Sequence, residues 1–190
     1  MRIAAGLTFS LFTAFAVAQQ SDTAKLVEDA RNAALGMQNE LAGKLMKEIE
    51  AKGPEGAIGV CSTLAPNAAL DISRNKGWKV SRVSLKPRNA LLGPADAWEQ
   101  KVLLDFDARA AKGENPGALE HFEVVDEPAG RQFRYMKALP VAPLCVNCHG
   151  PQDKLFAGIR ERLAKDYPSD RATGYAPGQI RGAITIKRPL

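Results

Sequence analysis

The chain has 190 residues, long enough for one domain with its own core and too short to argue for two. Lys and Arg number 26 against 21 Asp and Glu, a formal charge of +5, yet they build no polybasic tract and no aromatic-interleaved basic face, which argues against nucleic acid as a partner. An excess of this size can steer an acidic redox partner.

Met1-Arg2 leads into an uncharged run of 16 residues, Ile3 to Ala18, that ends Ala16-Val17-Ala18 before Gln19. A basic start, an apolar stretch and an A-x-A site read as a secretory signal peptide. The run is also shorter than the ~20 residues a spanning helix wants. Cleavage is expected near Ala18, leaving residues 19–190 as one exported, periplasmic domain.

The first helix is expected over Thr23 to Lys52, where Leu26, Ala30, Ala33, Met37, Leu41, Leu45 and Ile49 recur at three- and four-residue steps. Gly53-Pro54 stops it. Its apolar face suits either the core or a second copy, a candidate homodimer contact. A second helix is expected from Pro54 to Gly77, with Ile58, Cys61, Ala65, Ala68 and Ile72 on one stripe. Pro66 lacks an N–H, so it should free the Ser62 carbonyl and bend the helix one turn beyond Cys61.

A strand over Trp78 to Leu85, a loop at Lys86-Pro87-Arg88-Asn89 and a third helix over Pro94 to Lys112 come next. His121 to Asp126 and Gln132 to Leu139 read as a hairpin turned through Glu127-Pro128-Ala129-Gly130. A short helix over Leu155 to Lys165, a Pro/Gly-rich loop and a strand over Ile180 to Lys187 follow. This order predicts an α+β fold with a mainly antiparallel sheet.

Between the hairpin and the short helix lies Cys145-Val146-Asn147-Cys148-His149, the attachment signature of c-type haem. Each thiol can add to a haem vinyl group, and the adjoining imidazole then lies where it can bind the iron. Zinc would need a fourth ligand, usually from a second CxxC or a His pair, and neither is present. The expected cofactor is therefore one covalent haem c, with Cys145 and Cys148 as attachment points and His149 as an axial ligand. Export agrees with this, because covalent attachment in bacteria is completed outside the cytoplasmic membrane. The motif comes late and no methionine follows it, unlike the arrangement in a small all-helical cytochrome c.

The second axial position has several candidates: Cys61, His121, Met37, Met46, Met136, or none. Methionines more often pack in cores, and an imidazole beside Glu120 and Glu123 reads as a surface residue. Cys61 is the odd cysteine, lies on an apolar stripe and neighbours a weakened helical turn, although buried free cysteines often only fill space.

Gly59-Val60-Cys61-Ser62-Thr63-Leu64-Ala65-Pro66, Arg82-Val83-Ser84, Arg88-Asn89, Arg134-Tyr135, the CxxCH with Gly150, Gly174-Tyr175 and Arg181-Gly182-Ala183-Ile184 together resemble one family. It comprises bacterial and cyanobacterial single-haem c-type proteins with a PAS-like fold, carried as a domain of unknown function. The resemblance spans about Ala24 to Lys187. It implies a PAS-like antiparallel sheet flanked by helices, with a long N-terminal helix, and iron held by His149 and the thiolate of Cys61. The family often reads Arg-Asn-Pro where this chain has Arg88-Asn89-Ala90. Arg82, Arg88 and Tyr135 are candidate contacts for the haem propionates, since arginine forks match carboxylates.

A thiolate ligand favours ferric iron, so a midpoint potential well below zero and a low-spin ferric haem are expected. Protonation of the thiol on reduction would open a site for CO or NO. The expected role is a periplasmic redox or diatomic-gas sensor that signals through a partner protein, and the alternative is a low-potential electron carrier. A peroxidase-like enzyme is the least favoured reading, since His121 is the only spare histidine.

Overall fold

A computed structural model describes the backbone of residues 10–190 and the side chains of residues 22–60 and 62–190. The start of the apolar leader, residues 1–9, lies outside the described residues. From Ser10 the chain is helical, and α1 runs Ser10–Gly56. It thus begins earlier than the Thr23 expected, taking in the uncharged run Leu11 to Ala18. No described helix is long and apolar enough to cross a membrane.

Within α1, Val27, Ala30, Ala34 and Met37 are buried at three- and four-residue steps, with Leu26, Ala33 and Leu41 flanking them. From Gln38 to Gly56 no side chain is fully buried, so Leu45 and Ile49 are only half-covered. The backbone leaves helical space at Gly53 (φ 72°, ψ 176°), a conformation that only glycine adopts readily, and Pro54 starts a new turn.

Instead of a simple kink at Pro66, the chain inserts a π-helical turn, Val60–Leu64, that contains Cys61. Helix α2, Ala65–Lys76, then carries Pro66 in its first turn, where the missing N–H costs nothing. The wider turn is closed by an Ala65 N–H bond to the Val60 carbonyl. The Gly59 carbonyl is satisfied by the hydroxyls of Ser62 and Thr63, which donate to it at 3.0 and 2.7 Å. Single π turns of this kind are frequent at functional sites.

Strand β1 (Lys79–Val83) is followed by α3 (Ala97–Ala111), whose start is a capping box. The Glu99 N–H donates to Asp96, and the Asp96 N–H donates to Glu99. Strands β2 (Glu120–Glu127) and β3 (Gly130–Pro140) form the expected hairpin. A one-turn helix α4 (Val146–His149), helix α5 (Ala157–Asp166) and strand β4 (Ile180–Pro189) complete the fold.

The sheet order is β1-β4-β3-β2, and every neighbouring pair is antiparallel. Alternate side chains divide the core into two layers. Phe133, Tyr135, Ile184 and Ile186 face α1 and α2, whereas Met136, Ala138 and Ala183 face Val102, Leu103 and Phe106 of α3. A third cluster joins α5 to the segment between α1 and the π turn through Ile58, Leu155, Ile159, Leu163 and Tyr167, with Cys148 packed against it. Architecture and class agree with the α+β expectation.

Candidate functional site

The motif cysteines sit on successive turns after β3. Cys145 ends the 3-10 turn Pro143–Cys145, and Cys148 and His149 lie in α4. Both cysteines are half-buried. Strand β3 delivers this segment to the end of the sheet, where the loop before β4 folds back onto it. The Tyr175 N–H donates to the His149 carbonyl at 2.9 Å, and the Gly174 N–H to the Gly150 carbonyl at 2.8 Å.

His149 opens onto a cavity of about 290 Å³ between α2 and β1. Ala65, Pro66 and Ala69 form one wall, and small side chains there allow close approach of a flat group. Val80, Val83 and Leu139 floor it, while Arg82, Arg88 and Arg181 add positive charge. The turn carrying Cys61 is anchored at both ends by the same region. Ile58 packs in the cluster that Cys148 joins, and Ala65 lines the cavity with His149. The Cys61 side chain itself lies outside the described residues.

The tautomer of His149 follows from its partners. Its Nδ1 lies 2.8 Å from the Ala172 carbonyl oxygen, which can only accept, so Nδ1 carries the proton. Arg181 Nε also points at this nitrogen at 3.2 Å, a longer approach than the 2.8 Å of the carbonyl that sets the tautomer. Nε2 therefore keeps its lone pair. Burial, and then the charges of Arg88 and Arg181, push the imidazole down to about 2, so it stays neutral. A neutral histidine whose other N–H is fixed by a carbonyl is the form that binds a metal ion.

Arg88 is held in the cavity wall, its Nε donating to Asp170 at 3.0 Å and its Nη2 to the Cys148 carbonyl. The Asn89 side chain accepts from the N–H groups of Leu91 and Leu92, which shapes this loop without a proline after Asn89. Arg82 shares the strand face of Val80 and also lines the cavity.

Tyr135 corrects the sequence expectation. It is fully buried in the α1-facing layer, its hydroxyl donates to Glu120 at 2.8 Å, and it is not among the cavity-lining residues. The alternative ligands are equally remote. Met37 and Met136 are core residues on opposite faces of the sheet, Met46 is exposed on α1, and His121 lies beside Trp98 on the α3 side.

Arg181 is the site residue the sequence reading missed. It lines the cavity, and its Nη1 donates to Ser84 Oγ at 2.9 Å and to the Lys86 carbonyl at 3.2 Å. Burial lowers its guanidinium to about 10. Only its contacts with Ser84, Lys86 and His149 mark it out, and none of these is local in sequence. The whole arrangement suits a flat, largely apolar group that carries carboxylates and a metal open to Nε2.

The sequence model of a family described as Tll0287-like matches residues 13–189. The crystal structure of the cyanobacterial heme-protein Tll0287 is similar to this chain at 29% sequence identity, covering 69% of this chain and 72% of that one, with a TM-score of 0.55. No curated protein matches.

Proposed function

The chain belongs to the Tll0287-like family, and on that premise we propose that it is an exported haem protein, not an enzyme, acting as a redox or diatomic-gas sensor. One observation carries the reading. His149, protonated on Nδ1 and bare on Nε2, shares a cavity with the start of α2, directly after the π turn that bears Cys61.

The residues divide the work. Cys145 and Cys148 are the attachment points, and the half-buried position of each keeps the thioether region out of bulk water. His149 is the axial ligand on the motif side. Cys61 is the proposed ligand from the helical side, carried by a single π turn of the kind frequent at functional sites. Arg82 and Arg88, together with Arg181, offset the charge of the propionates. When bound, the haem supplies a one-electron ferric/ferrous couple. Ferric iron would hold the thiol as thiolate, whose ordinary pKa is ~8.5. A thiol that regains its proton on reduction would leave room for a small gas.

Electron transfer is the second reading, favoured by Leu70 and Leu92, which line the cavity yet are exposed, and by Leu91 beside them. An apolar rim suits brief docking of a redox partner. The half-covered stripe of Leu41, Leu45 and Ile49 on α1 is where a second copy would sit.

Absorption and EPR spectra of both oxidation states, with CO added to the reduced protein, test the proposal. A six-coordinate low-spin ferric spectrum with thiolate character and CO uptake after reduction is the expected result. Unchanged six-coordination in both states, with no CO uptake, would favour the carrier.

A further inference from the structure

We infer that the buried Arg88–Asp170 ion pair is a positioning device that keeps the Ala172 carbonyl available to His149, and so sets how strongly this imidazole donates to a metal. The inference rests on the haem reading above and concerns residues to which that reading gives no such role.

The Ala172 peptide is held at both ends. Its N–H donates to Asp170 Oδ1 at 2.7 Å, and its carbonyl accepts from His149 Nδ1 at 2.8 Å. The second carboxylate oxygen of Asp170 accepts from Arg88 Nε at 3.0 Å. Arg88 Nη2 donates to the Cys148 carbonyl and reaches the Ala172 carbonyl only at 3.4 Å. One guanidinium thus spans the motif helix, the opposing loop and the carboxylate that turns that loop.

Two donors compete for the Ala172 oxygen, and the distances show which one wins. Asp170 draws the guanidinium toward itself, so the carbonyl is spent on His149. The pair is 7% and 11% exposed, and charges so buried bring little net stability. Their positional effect is the larger one. A ligand imidazole whose other N–H is well bonded to a carbonyl is the more basic ligand.

Asp170→Asn separates these effects. The amide oxygen can still accept from the Ala172 N–H, but its NH₂ faces Arg88 Nε, donor against donor. The guanidinium should then shift to the Ala172 carbonyl and weaken the His149 bond. Exchange of the His149 Nδ1 proton, followed by NMR in the full-length reduced protein, should become about tenfold faster. The midpoint potential should move upward, because donation falls and a positive charge loses its partner. In an Arg88→Met background the same Asp170→Asn change should leave the exchange rate unaltered, while the potential still rises from the lost carboxylate charge alone.

A pyridine haemochrome assay of the wild-type protein separates the two ideas. Absence of covalent haem defeats the cofactor reading, and the exchange measurement still decides the pair in that protein. Wild-type exchange in Asp170→Asn, or an equal effect in the Arg88→Met background, overturns the device. Should Asp170→Asn not fold by near-ultraviolet circular dichroism, Asp170→Ser replaces it. The serine hydroxyl can still accept from the Ala172 N–H but cannot hold Arg88 Nε, so exchange should again accelerate, and unchanged exchange there overturns the inference.

Discussion

Arg134 Nη2 lies 2.6 Å from Asp96 Oδ2, tying the middle of β3 to the residue that caps α3. Lys187 of β4 donates to the same oxygen at 2.6 Å, so one carboxylate fastens two strands and a helix start. Burial acts to raise the Asp96 carboxyl, but Lys187, the Glu99 N–H and Arg134 outweigh it and hold the group at about 2. A lowered carboxyl stabilises the fold above its unfolded pKa and loses that contribution as pH falls through the folded one. The loss therefore lies between about pH 4 and pH 2. Urea unfolding of wild type and Asp96→Asn should differ at about pH 6 and converge by about pH 2. A constant difference across that range would remove Asp96 from the acid response.

Cys61→Ser should raise the midpoint potential by on the order of 0.1 V, a fraction of the ~0.8 V that axial ligands span. Potentiometric titration reads this directly. An unchanged potential and an unchanged ferric EPR spectrum would take Cys61 off the iron.

The two motif thiols should be separable. Replacing either Cys145 or Cys148 by alanine should leave haem bound through one thioether, and replacing both should leave none that survives denaturing extraction. Haem-stained denaturing gels check this, and covalent haem in the double variant would refute the assignment.

Tyr135→Phe offers a contrast with the cavity residues. It removes a buried hydrogen bond to the Glu120 carboxylate and should cost about 1.5–3 kcal/mol in denaturant unfolding. The haem spectrum should not change, whereas Arg82→Gln, at the cavity wall, should alter it with little effect on stability.

Gly182→Ala tests the closeness of β1 to β4. A Cβ at this position would run into the Val83 carbonyl oxygen, so the strands must part. A loss of about 1–3 kcal/mol is expected from such overpacking. Wild-type stability would mean that the strands yield more easily than their register suggests.

The helices and the hairpin were legible because their signals are local. Gly53-Pro54 breaks the helix where a breaker pair should, and Pro66 marks the irregular turn, although a π turn rather than a bend is the form it takes. Cys145, Cys148 and His149 stand out by spacing alone. Asp170, Ala172 and Arg181 do not, since Ala172 reaches His149 from a distant loop, Arg181 from β4, and Asp170 only by way of the Ala172 N–H. Tyr135 misses the cavity for a different reason. It shares the cavity's face of the sheet with Ala69, Val80 and Leu139, but sits farther back along β3 in the part of that layer that α1 covers, a placement alternation does not reveal.

The order of the strands in the sheet has a kinetic corollary. Lys79 pairs with Lys187, and the strand between β1 and β3 is the last of the four to be synthesised. Half the sheet must therefore wait for a segment that emerges roughly a hundred residues after its neighbour, a slow closure by the usual dependence on loop length. On the proposed haem reading, that delay would leave the two motif thiols within reach of an attaching enzyme, and maturation would then precede completion of the sheet rather than having to prise it open.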